Sequence, residues 1–200
     1  MKYARHVLKY LKRYPTYGLK YNKQGDNILR CYTDSSYLDD PDSGKTTIGY
    51  VITLNGGPVA YKSRLSKLVL HSTCEAEYVA MYLGLVIVLQ LRTLLSEFGL
   101  PQSDPTAMRC DNQAAVTLST ADTEPPSYRH IAMRYHALRE AASFVAVRFI
   151  PTKENIADYF TKALPLPLFN KITNMIMHQV EEVINEKEEE KPMKKMKLEQ

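Results

Sequence analysis

Residues 72–98 are the longest periodic segment of the sequence, and they predict an amphipathic helix. Apolar side chains recur at helical spacing over about seven turns, at positions 76, 80, 83, 87, 91, 94 and 98. Ser72 and Glu75 match the spacing of a capping box at the start of this helix. Gly99 followed by Pro101 predicts its end. A helix of this length must bury its apolar stripe against another layer of structure.

Three strands are predicted before this helix. Residues 28–33 lead into Asp34, and residues 46–54 are rich in β-branched and aromatic side chains. The sequence Asn55-Gly56-Gly57 is a strong hairpin signal, and it returns the chain into a third strand at residues 58–64. These segments predict an antiparallel meander.

Helices and strands alternate after the long helix. We predict a strand at residues 106–110, helices at 112–120 and 128–142, a strand at 144–150 and a helix at about 153–163. Helices between the later strands imply crossover connections and parallel pairing. The sequence therefore predicts an α/β fold with a mixed sheet and helices on its faces.

The two ends of the chain differ from the middle. Residues 3–14 have apolar side chains at helical spacing and predict a short helix. Residues 166–185 predict an amphipathic C-terminal helix, and residues 186–200 form a charge run that predicts a disordered tail. The KPMKK cluster in this tail matches a nuclear-localisation signal, although such short basic runs are common.

Composition predicts an intracellular protein, cytoplasmic or nuclear, that is not secreted. The three cysteines form no CxxC pair, so neither a disulfide framework nor a zinc site is favoured, including one built from His71, Cys74 and Cys110. We find no signal-peptide pattern. The uninterrupted apolar stretch 83–89 is too short to span a bilayer, so we expect no membrane partner.

Positive charge is concentrated in two places. Residues 1–30 carry eight Lys and Arg against Asp26 alone, and Lys62, Arg64 and Lys67 form a second cluster. This distribution suits a polyanion such as a nucleic-acid backbone. Solvated helix and loop faces explain it equally well.

Four acidic residues lie next to, or inside, apolar elements, where a charge is costly to bury. Asp34 and Asp111 each follow a predicted strand, Glu77 lies in the first turns of the long helix, and Asp158 stands in the apolar context IADYF. Carboxylates that converge from different elements can hold two divalent cations for phosphodiester hydrolysis. Taken singly, each acid also has a structural explanation, such as a turn, a cap or a helix-dipole interaction.

Five sequence blocks carry a resemblance to a known family. In order they are YTDSSYLDDPDSGKTTIGYVI, STCEAEYVAM, CDNQAAV, RHIAMRYHALRE and FIPTKENIADYFTKALP. They resemble the ribonuclease H domain of copia-type retrotransposon polyproteins. The likeness runs from about residue 1 to about residue 177.

The resemblance implies a ribonuclease H-like fold, with a five-stranded mixed sheet flanked by helices. Residues 1–25 resemble the connection at the trailing end of a reverse transcriptase. Residues 26–165 correspond to the ribonuclease H-like domain, followed by the C-terminal helix at 166–185 and the tail at 186–200.

The resemblance also implies a catalytic metal site made of Asp34 (YTDSSY), Glu77 (EAEY), Asp111 (CDNQ) and Asp158 (IADYFTK). Asp34 would bridge two metal ions, Glu77 and Asp111 would complete one site, and Asp158 the other. Glu75 is the rival for the second position, but its capping-box spacing gives it a structural role, and we prefer Glu77.

Further residues are implied to contact the nucleic acid. Gln113 is similar to a position that contacts the RNA strand, although it is equally well explained as a helix N-terminal residue. Lys62, Arg64 and Arg129 are candidates to hold phosphates. Gly49 resembles the glycine that lets the backbone pack closely beside the active strand.

The implied activity is hydrolysis of the RNA strand of RNA–DNA hybrids during reverse transcription, with two Mg²⁺ ions, or Mn²⁺, as cofactors. The 2′-hydroxyl group would distinguish RNA from DNA. Expected partners are the hybrid and the reverse transcriptase domain of the same polyprotein.

Two alternatives are weighed against this activity. An integrase-like nuclease is disfavoured, because such sites end on a late glutamate and the late acid here is Asp158. An inactive or domesticated fragment that only binds nucleic acid stays open, although all four carboxylates are present.

The sequence departs from the family pattern in one place. The His-containing loop before the last aspartate is replaced by PTKEN, where Lys153 or Glu154 is a candidate substitute. His130 and His136 on the preceding helix are interpreted as packing or phosphate-contact residues.

Overall fold

The computed structural model describes residues 2–121 and 132–179. The helices are α1 (Lys2–Arg13), α2 (Thr73–Glu97), α3 (Gln113–Thr120), α4 (Ala132–Glu140) and α5 (Leu166–Ile176). The strands are β1 (Tyr17–Gly18), β2 (Arg30–Ser36), β3 (Thr47–Leu54), β4 (Gly57–Leu65), β5 (Thr106–Cys110), β6 (Val145–Phe149) and β7 (His178–Gln179).

Five strands form the central sheet in the order β4-β3-β2-β5-β6. The β2, β3 and β4 strands pair antiparallel, and β5 pairs in parallel with both β2 and β6. Asn55 and Gly56 in the β3–β4 turn both have positive φ, as a type I′ hairpin requires. The predicted α/β fold with a five-stranded mixed sheet and flanking helices is confirmed.

One face of the sheet is covered by α2, with α3 and α4 beside it. This face holds the larger apolar cluster, in which Cys31, Ile52 and Met108 of the sheet and Met81 of α2 are fully buried. At the start of α2 the Ser72 hydroxyl accepts a hydrogen bond from the Glu75 N–H at 3.1 Å, so the predicted N-cap is confirmed.

The α2 helix is long and apolar enough, by length and composition alone, to cross a membrane. The uninterrupted apolar run at 83–89 did not suggest this. Ala76, Met81 and Leu85 on α2 are buried in the larger apolar cluster. The core helix of a globular domain passes the same test of length and composition, and α2 packs as one.

The opposite face carries a smaller apolar cluster of Val51, Ile156, Ala157, Ile172 and Ile176. The predicted helix at 153–163 is wrong, because the chain forms two short 3₁₀ helices there, Thr152–Glu154 and Ile156–Phe160. Asn155 separates them in an extended conformation (φ −78°, ψ 102°). Its side chain accepts a hydrogen bond from the Ala157 N–H and donates one to the Thr33 carbonyl, and these bonds replace α-helical ones.

The predicted helix at 166–185 is also wrong at residues 177–179, whereas residues 180–185 lie outside the described residues. Met177 is extended, and β7 then pairs antiparallel with β1, with Gly18 opposite His178. The hydrogen bonds that a longer helix would use are made to β1 instead. The predicted tail at 186–200 lies outside the described residues, as do the first residues of the predicted helix at 128–142.

Candidate functional site

The β2 and β5 strands pair over only three residues and then part. Their last aligned pair is Tyr32 with Arg109, whereas β2 continues along β3 as far as Ser36. Asp34 therefore lies inside β2 and not at its end, which corrects the predicted strand boundary. Asp111 directly follows β5. The parting of two parallel strands at their carboxyl ends creates a crevice, the usual position of sites in open α/β sheets.

Three aspartates meet in this crevice. One carboxylate oxygen from each of Asp34, Asp111 and Asp158 lies within 4.8 Å of the others, and we call this set the aspartate group. Asp34 and Asp158 are buried, and Asp111 is half-buried. The sequence-predicted aspartates are thus brought together.

The 3₁₀ helix Ile156–Phe160 brings Asp158 to the sheet. Gly49, which lies directly opposite Asp34 on β3, makes this approach feasible. A Cβ atom at Gly49 would lie 2.7 Å from Thr161 Cγ2 and 3.0 Å from Phe160 Cβ, closer than packed atoms approach. The predicted close packing at this glycine is confirmed, and the segment that it admits is Phe160–Thr161.

Glu77 reaches the crevice from α2, on the other side of the sheet. Its Oε1 atom accepts hydrogen bonds from the Ser35 N–H at 3.0 Å and the Ser35 hydroxyl at 2.8 Å. Its Oε2 atom accepts one from the Cys110 thiol at 3.5 Å. Ligand atoms of Glu77, Cys110 and Asp111 lie within 4.8 Å of one another. Asp111 is shared by this set and the aspartate group, whereas the family pattern gives the shared position to Asp34.

The rival acid, Glu75, is placed differently. Its carboxylate accepts a hydrogen bond from the His71 N–H at 2.7 Å, at the start of α2. In a capping box the partner would be the N-cap residue Ser72, so the reciprocal bond is shifted by one residue. Glu75 therefore supports the helix start, and Glu77 is the acid that lies beside Asp111.

Burial and crowding raise the pKa values of these carboxyls. Burial raises the pKa of Asp34 to about 7, and the neighbouring Asp158 and Asp111 add to the shift against the opposing effect of Lys162. Burial likewise raises the pKa of Glu77 to about 8, with a further contribution from the charge of Asp34. The pKa of Asp158 is also raised by burial. Acids gathered in this way favour a bound cation.

Two residues after Phe160 hold the aspartate group from within the fold. The Thr161 hydroxyl donates a hydrogen bond to Asp34 Oδ2. The Lys162 ammonium donates to Asp34 Oδ1 at 3.1 Å and to Asp158 Oδ1 at 3.0 Å. Burial alone lowers the pKa of Lys162, but the two carboxylates outweigh it and the pKa lies above its usual value.

The donor chemistry fits a hard divalent cation. Three aspartate oxygens within 4.8 Å of one another, with the Glu77 carboxylate beside them, are the oxygen ligands that Mg²⁺ and Mn²⁺ prefer. A buried set of like charges also requires positive charge nearby. The residues present therefore fit the implied metal.

The candidate nucleic-acid residues lie around this crevice and not inside it. Gln113 is exposed at the first turn of α3, two residues after Asp111. Lys62 and Arg64 lie on the edge strand β4, and Arg64 is in one cross-strand row with Ile48 and Ser35. Two strand spacings, about 10 Å, separate Arg64 from Ser35 in that row. Arg129 lies outside the described residues.

Sequence reasoning missed several residues that shape the site, namely Ser35, Cys110, Asn155, Thr161 and Lys162. Lys162 carried a usable signal, because it follows the candidate Asp158 at the i+4 spacing that brings charged side chains together. The bonds of Ser35 and Asn155 join residues that are distant in sequence, so no local pattern marks them.

The fold and the site define an α/β domain with a candidate divalent-metal centre at the parting of two parallel strands. No family model matches the sequence. The chain is 36% identical over 156 residues to the retrovirus-related Pol polyprotein from transposon TNT 1-94 of Nicotiana tabacum, covering 76% of this chain and 12% of the relative. It is 30% identical over 174 residues to the one from transposon RE2 of Arabidopsis thaliana, covering 86% of this chain and 12% of the relative.

A yeast relative matches less closely. The transposon Ty1-DR5 Gag-Pol polyprotein of Saccharomyces cerevisiae is 30% identical over 156 residues, covering 76% of this chain and 9% of the relative. The chain is therefore a member of the copia-type retrotransposon Pol family, as the resemblance indicated. It spans about an eighth, or less, of the length of these polyproteins.

Solved RNase H structures are similar at low identity. The N-terminal RNase H domain of a Mycobacterium tuberculosis protein aligns with TM-score 0.49 and 14% identity, covering 74% of this chain and 98% of that chain. LC11-RNase H1 in complex with RNA/DNA hybrid aligns with TM-score 0.48 and 20% identity, covering 66% of this chain and 93% of that chain. The family assignment rests on the sequence relatives.

Proposed function

We propose that this chain hydrolyses the RNA strand of RNA–DNA hybrids during retrotransposon reverse transcription, with two divalent metal ions. The observation that carries the proposal is the aspartate group, whose three oxygens lie within 4.8 Å of one another, with Glu77 beside Asp111. Homology to Pol polyproteins supports an RNase H-like nuclease role.

Asp34, Glu77, Asp111 and Asp158 are the residues that would hold Mg²⁺ or Mn²⁺. When bound, such ions polarise the phosphate and lower the pKa of a coordinated water. The chain's own contribution is to fix its carboxylates before substrate arrives. Ser35 orients Glu77 through two hydrogen bonds, and Thr161 orients Asp34 through one. A preorganised site of this kind loses little free energy to rearrangement during the reaction.

The hybrid is proposed to lie across the crevice. Gln113, at the N-terminal turn of α3, is proposed to contact the RNA strand beside Asp111, where backbone N–H groups favour a phosphate. Lys62 and Arg64 on β4, together with Arg129, are proposed to hold backbone phosphates. Recognition of the RNA 2′-hydroxyl is proposed to separate hybrid from DNA duplex.

The proposed setting is intracellular, in the cytoplasm or nucleus. The reverse transcriptase domain of the same polyprotein is the proposed protein partner. A second candidate function is binding of nucleic acid without cleavage. The match covers 12% of the length of the plant relatives, so the activity of the whole polyprotein does not by itself extend to this chain.

The test is cleavage of an end-labelled RNA–DNA hybrid by the purified chain in Mg²⁺, in Mn²⁺ and in EDTA. RNA–RNA and DNA–DNA duplexes of the same sequence control for hybrid specificity. We expect the RNA strand of the hybrid alone to be cut, and only with metal present.

Asp111→Asn should lower this cleavage at least about 100-fold, because it removes the carboxylate shared by both sets of ligand atoms. Asp104→Asn is the matched control, since Asp104 is exposed and precedes β5, at the opposite end of that strand from Asp111. If the folded protein binds the hybrid but cuts it in neither Mg²⁺ nor Mn²⁺, the proposed nuclease activity is rejected. That result would favour binding of nucleic acid without cleavage.

A further inference from the structure

The ammonium group of Lys162 lies inside the aspartate group. It is 3.1 Å from Asp34 Oδ1 and 3.0 Å from Asp158 Oδ1. The side chains of these aspartates are 0% and 3% exposed, whereas that of Lys162 is 33% exposed. A cation on the protein therefore contacts two of the carboxylates that the proposed function assigns to a metal ion.

Lys162 contacts one set of ligand atoms and not the other. Its ion pairs are with Asp34 and Asp158, and the set made of Glu77, Cys110 and Asp111 has no ion pair with it. The two sets of ligand atoms therefore differ in local charge before any metal ion binds. Positive charge is already present in the aspartate group, and Asp111 connects this group to the set that lacks it.

The position of Lys162 also allows its ammonium group to move away from the aspartate group. It follows the 3₁₀ helix Ile156–Phe160, and its side chain is 33% exposed. A lysine side chain is flexible, and its ammonium is strongly hydrated, so solvent can receive it once a metal ion neutralises the two carboxylates in its place. The carboxylates have less freedom, because Thr161 and the packed 3₁₀ helix hold them in place.

We propose that Lys162 is the resident cation of the aspartate group, and that a divalent metal ion binds there by displacing its ammonium group. This inference rests on the proposed function, because it requires a metal at this site. Lys162 is then a positioning residue: it holds Asp34 and Asp158 together without metal and weakens the binding of the ion that replaces it.

The first test follows Lys162 in the unmodified chain. Lysine acylation is measured by mass spectrometry in EDTA and in saturating Mg²⁺, without nucleic acid. We expect the reactivity of Lys162 to rise several-fold with Mg²⁺, while that of the exposed Lys67 stays constant. Unchanged or lower reactivity of Lys162 with Mg²⁺ bound would overturn the proposal.

The second test compares Lys162→Met with Lys162→Arg by calorimetric titration of Mg²⁺, above about pH 8 so that the carboxyls ionise readily. Lys162→Met should bind Mg²⁺ about tenfold more tightly, because no ammonium competes for the aspartates. It should also unfold at a lower temperature in EDTA than the unmodified chain, with most of that loss recovered in Mg²⁺. Lys162→Arg keeps the charge and should resemble the unmodified chain.

A purely structural lysine would behave differently. Lys162→Met would then lose the same stability with and without Mg²⁺, and its Mg²⁺ affinity would be unchanged, which rejects the proposal. If the unmodified chain binds no Mg²⁺ at all, the proposed function fails with it. If the chain binds Mg²⁺ and cuts hybrid while Lys162 stays protected, this inference alone fails.

Discussion

The two faces of the central sheet differ in depth of packing and in chemistry. Among the described residues, twenty-two are buried in the cluster under α2 and five in the cluster on the opposite face. We call the face under α2 the thicker face and the opposite one the thinner face. The thinner face carries Asp34, Asp158 and Lys162, and the thicker face contributes Glu77. Buried charge is costly. On the thinner face Lys162 pairs with the buried Asp34 and Asp158, whereas on the thicker face the buried Glu77 accepts hydrogen bonds from Ser35. The thicker face stabilises the fold, and the thinner face positions the site.

The strongest way to test this division is a matched pair of core truncations. Leu85→Ala on the α2 face should lower the free energy of unfolding by about 3 kcal/mol, and Ile172→Ala on the opposite face by about 2 kcal/mol. Ile172 packs in the same cluster as Ile156 and Ala157, so its truncation should also weaken Mg²⁺ binding, whereas Leu85→Ala should not. Urea denaturation and Mg²⁺ titration measure both effects. Equal weakening of Mg²⁺ binding by the two variants would contradict the division.

A second pair adds a single methyl group to each face. Gly49→Ala should cost about 1–3 kcal/mol, because its Cβ would press on Phe160 and Thr161 and displace the segment that carries Asp158. Gly84→Ala on α2 is the control, since its Cβ would meet Cys31 Sγ at 3.0 Å and Thr33 Cγ2 at 3.1 Å. A gain of about 1 kcal/mol in helix propensity offsets that crowding.

Thermal unfolding and hybrid cleavage of both glycine variants provide the measurement. We expect Gly49→Ala to lose stability and activity together, and Gly84→Ala to stay near the unmodified chain in both. An active, stable Gly49→Ala protein would show that the approach of Phe160–Thr161 to β3 is not required.

The smallest expected effect is a pH dependence of the free energy of unfolding, which bound Mg²⁺ should reduce. The pKa values of Asp34 and Glu77 are about 7 and 8 in the folded protein, above the ordinary values of 3.8 and 4.5. Their protonated forms therefore stabilise the fold fully below about pH 4, and this contribution is lost as the pH rises through about 7 and 8. In EDTA the free energy of unfolding should fall between about pH 5 and about pH 9.

Mg²⁺ should restore more stability at the upper end of this range than at the lower end, because it binds the ionised carboxylates. Asp34→Asn should have a shallower pH dependence in EDTA than the unmodified chain. Denaturant titrations at each pH measure these quantities. A pH-independent free energy of unfolding in EDTA would be incompatible with the buried carboxyls described above.

The same division explains how far the sequence predicts the structure. The α2 face was predictable, because a stripe repeating over about seven turns and an N-cap at Ser72 are local patterns. On the opposite face, residues 153–163 were predicted to form one helix, but the chain forms two short 3₁₀ helices there. The decisive interaction there is the hydrogen bond from Asn155 to Thr33, across 122 residues of chain, which no periodicity encodes.

The candidate site was likewise predictable where local sequence patterns mark its residues, and not where contacts between distant residues do. The acids at Asp34, Asp111 and Asp158 could be proposed from strand ends, apolar context and resemblance, and the structure brings them together. The side chains that hold them could not, because Thr161 and Ser35 act through contacts formed only in the folded chain. Lys162 is intermediate, since its spacing from Asp158 is visible in the sequence but its contact with Asp34 is not.

The pairing of β1 with β7 has a consequence for how this domain sits in a longer polypeptide. Gly18 lies opposite His178, so the incoming and outgoing backbones run side by side in opposite directions, about 5 Å apart. The two strands that bracket the central sheet in sequence are therefore neighbours in space, although Gly18 and His178 are 160 positions apart in the chain. Domains whose bracketing segments lie side by side in this way are the ones that tolerate insertion into a larger protein and circular permutation.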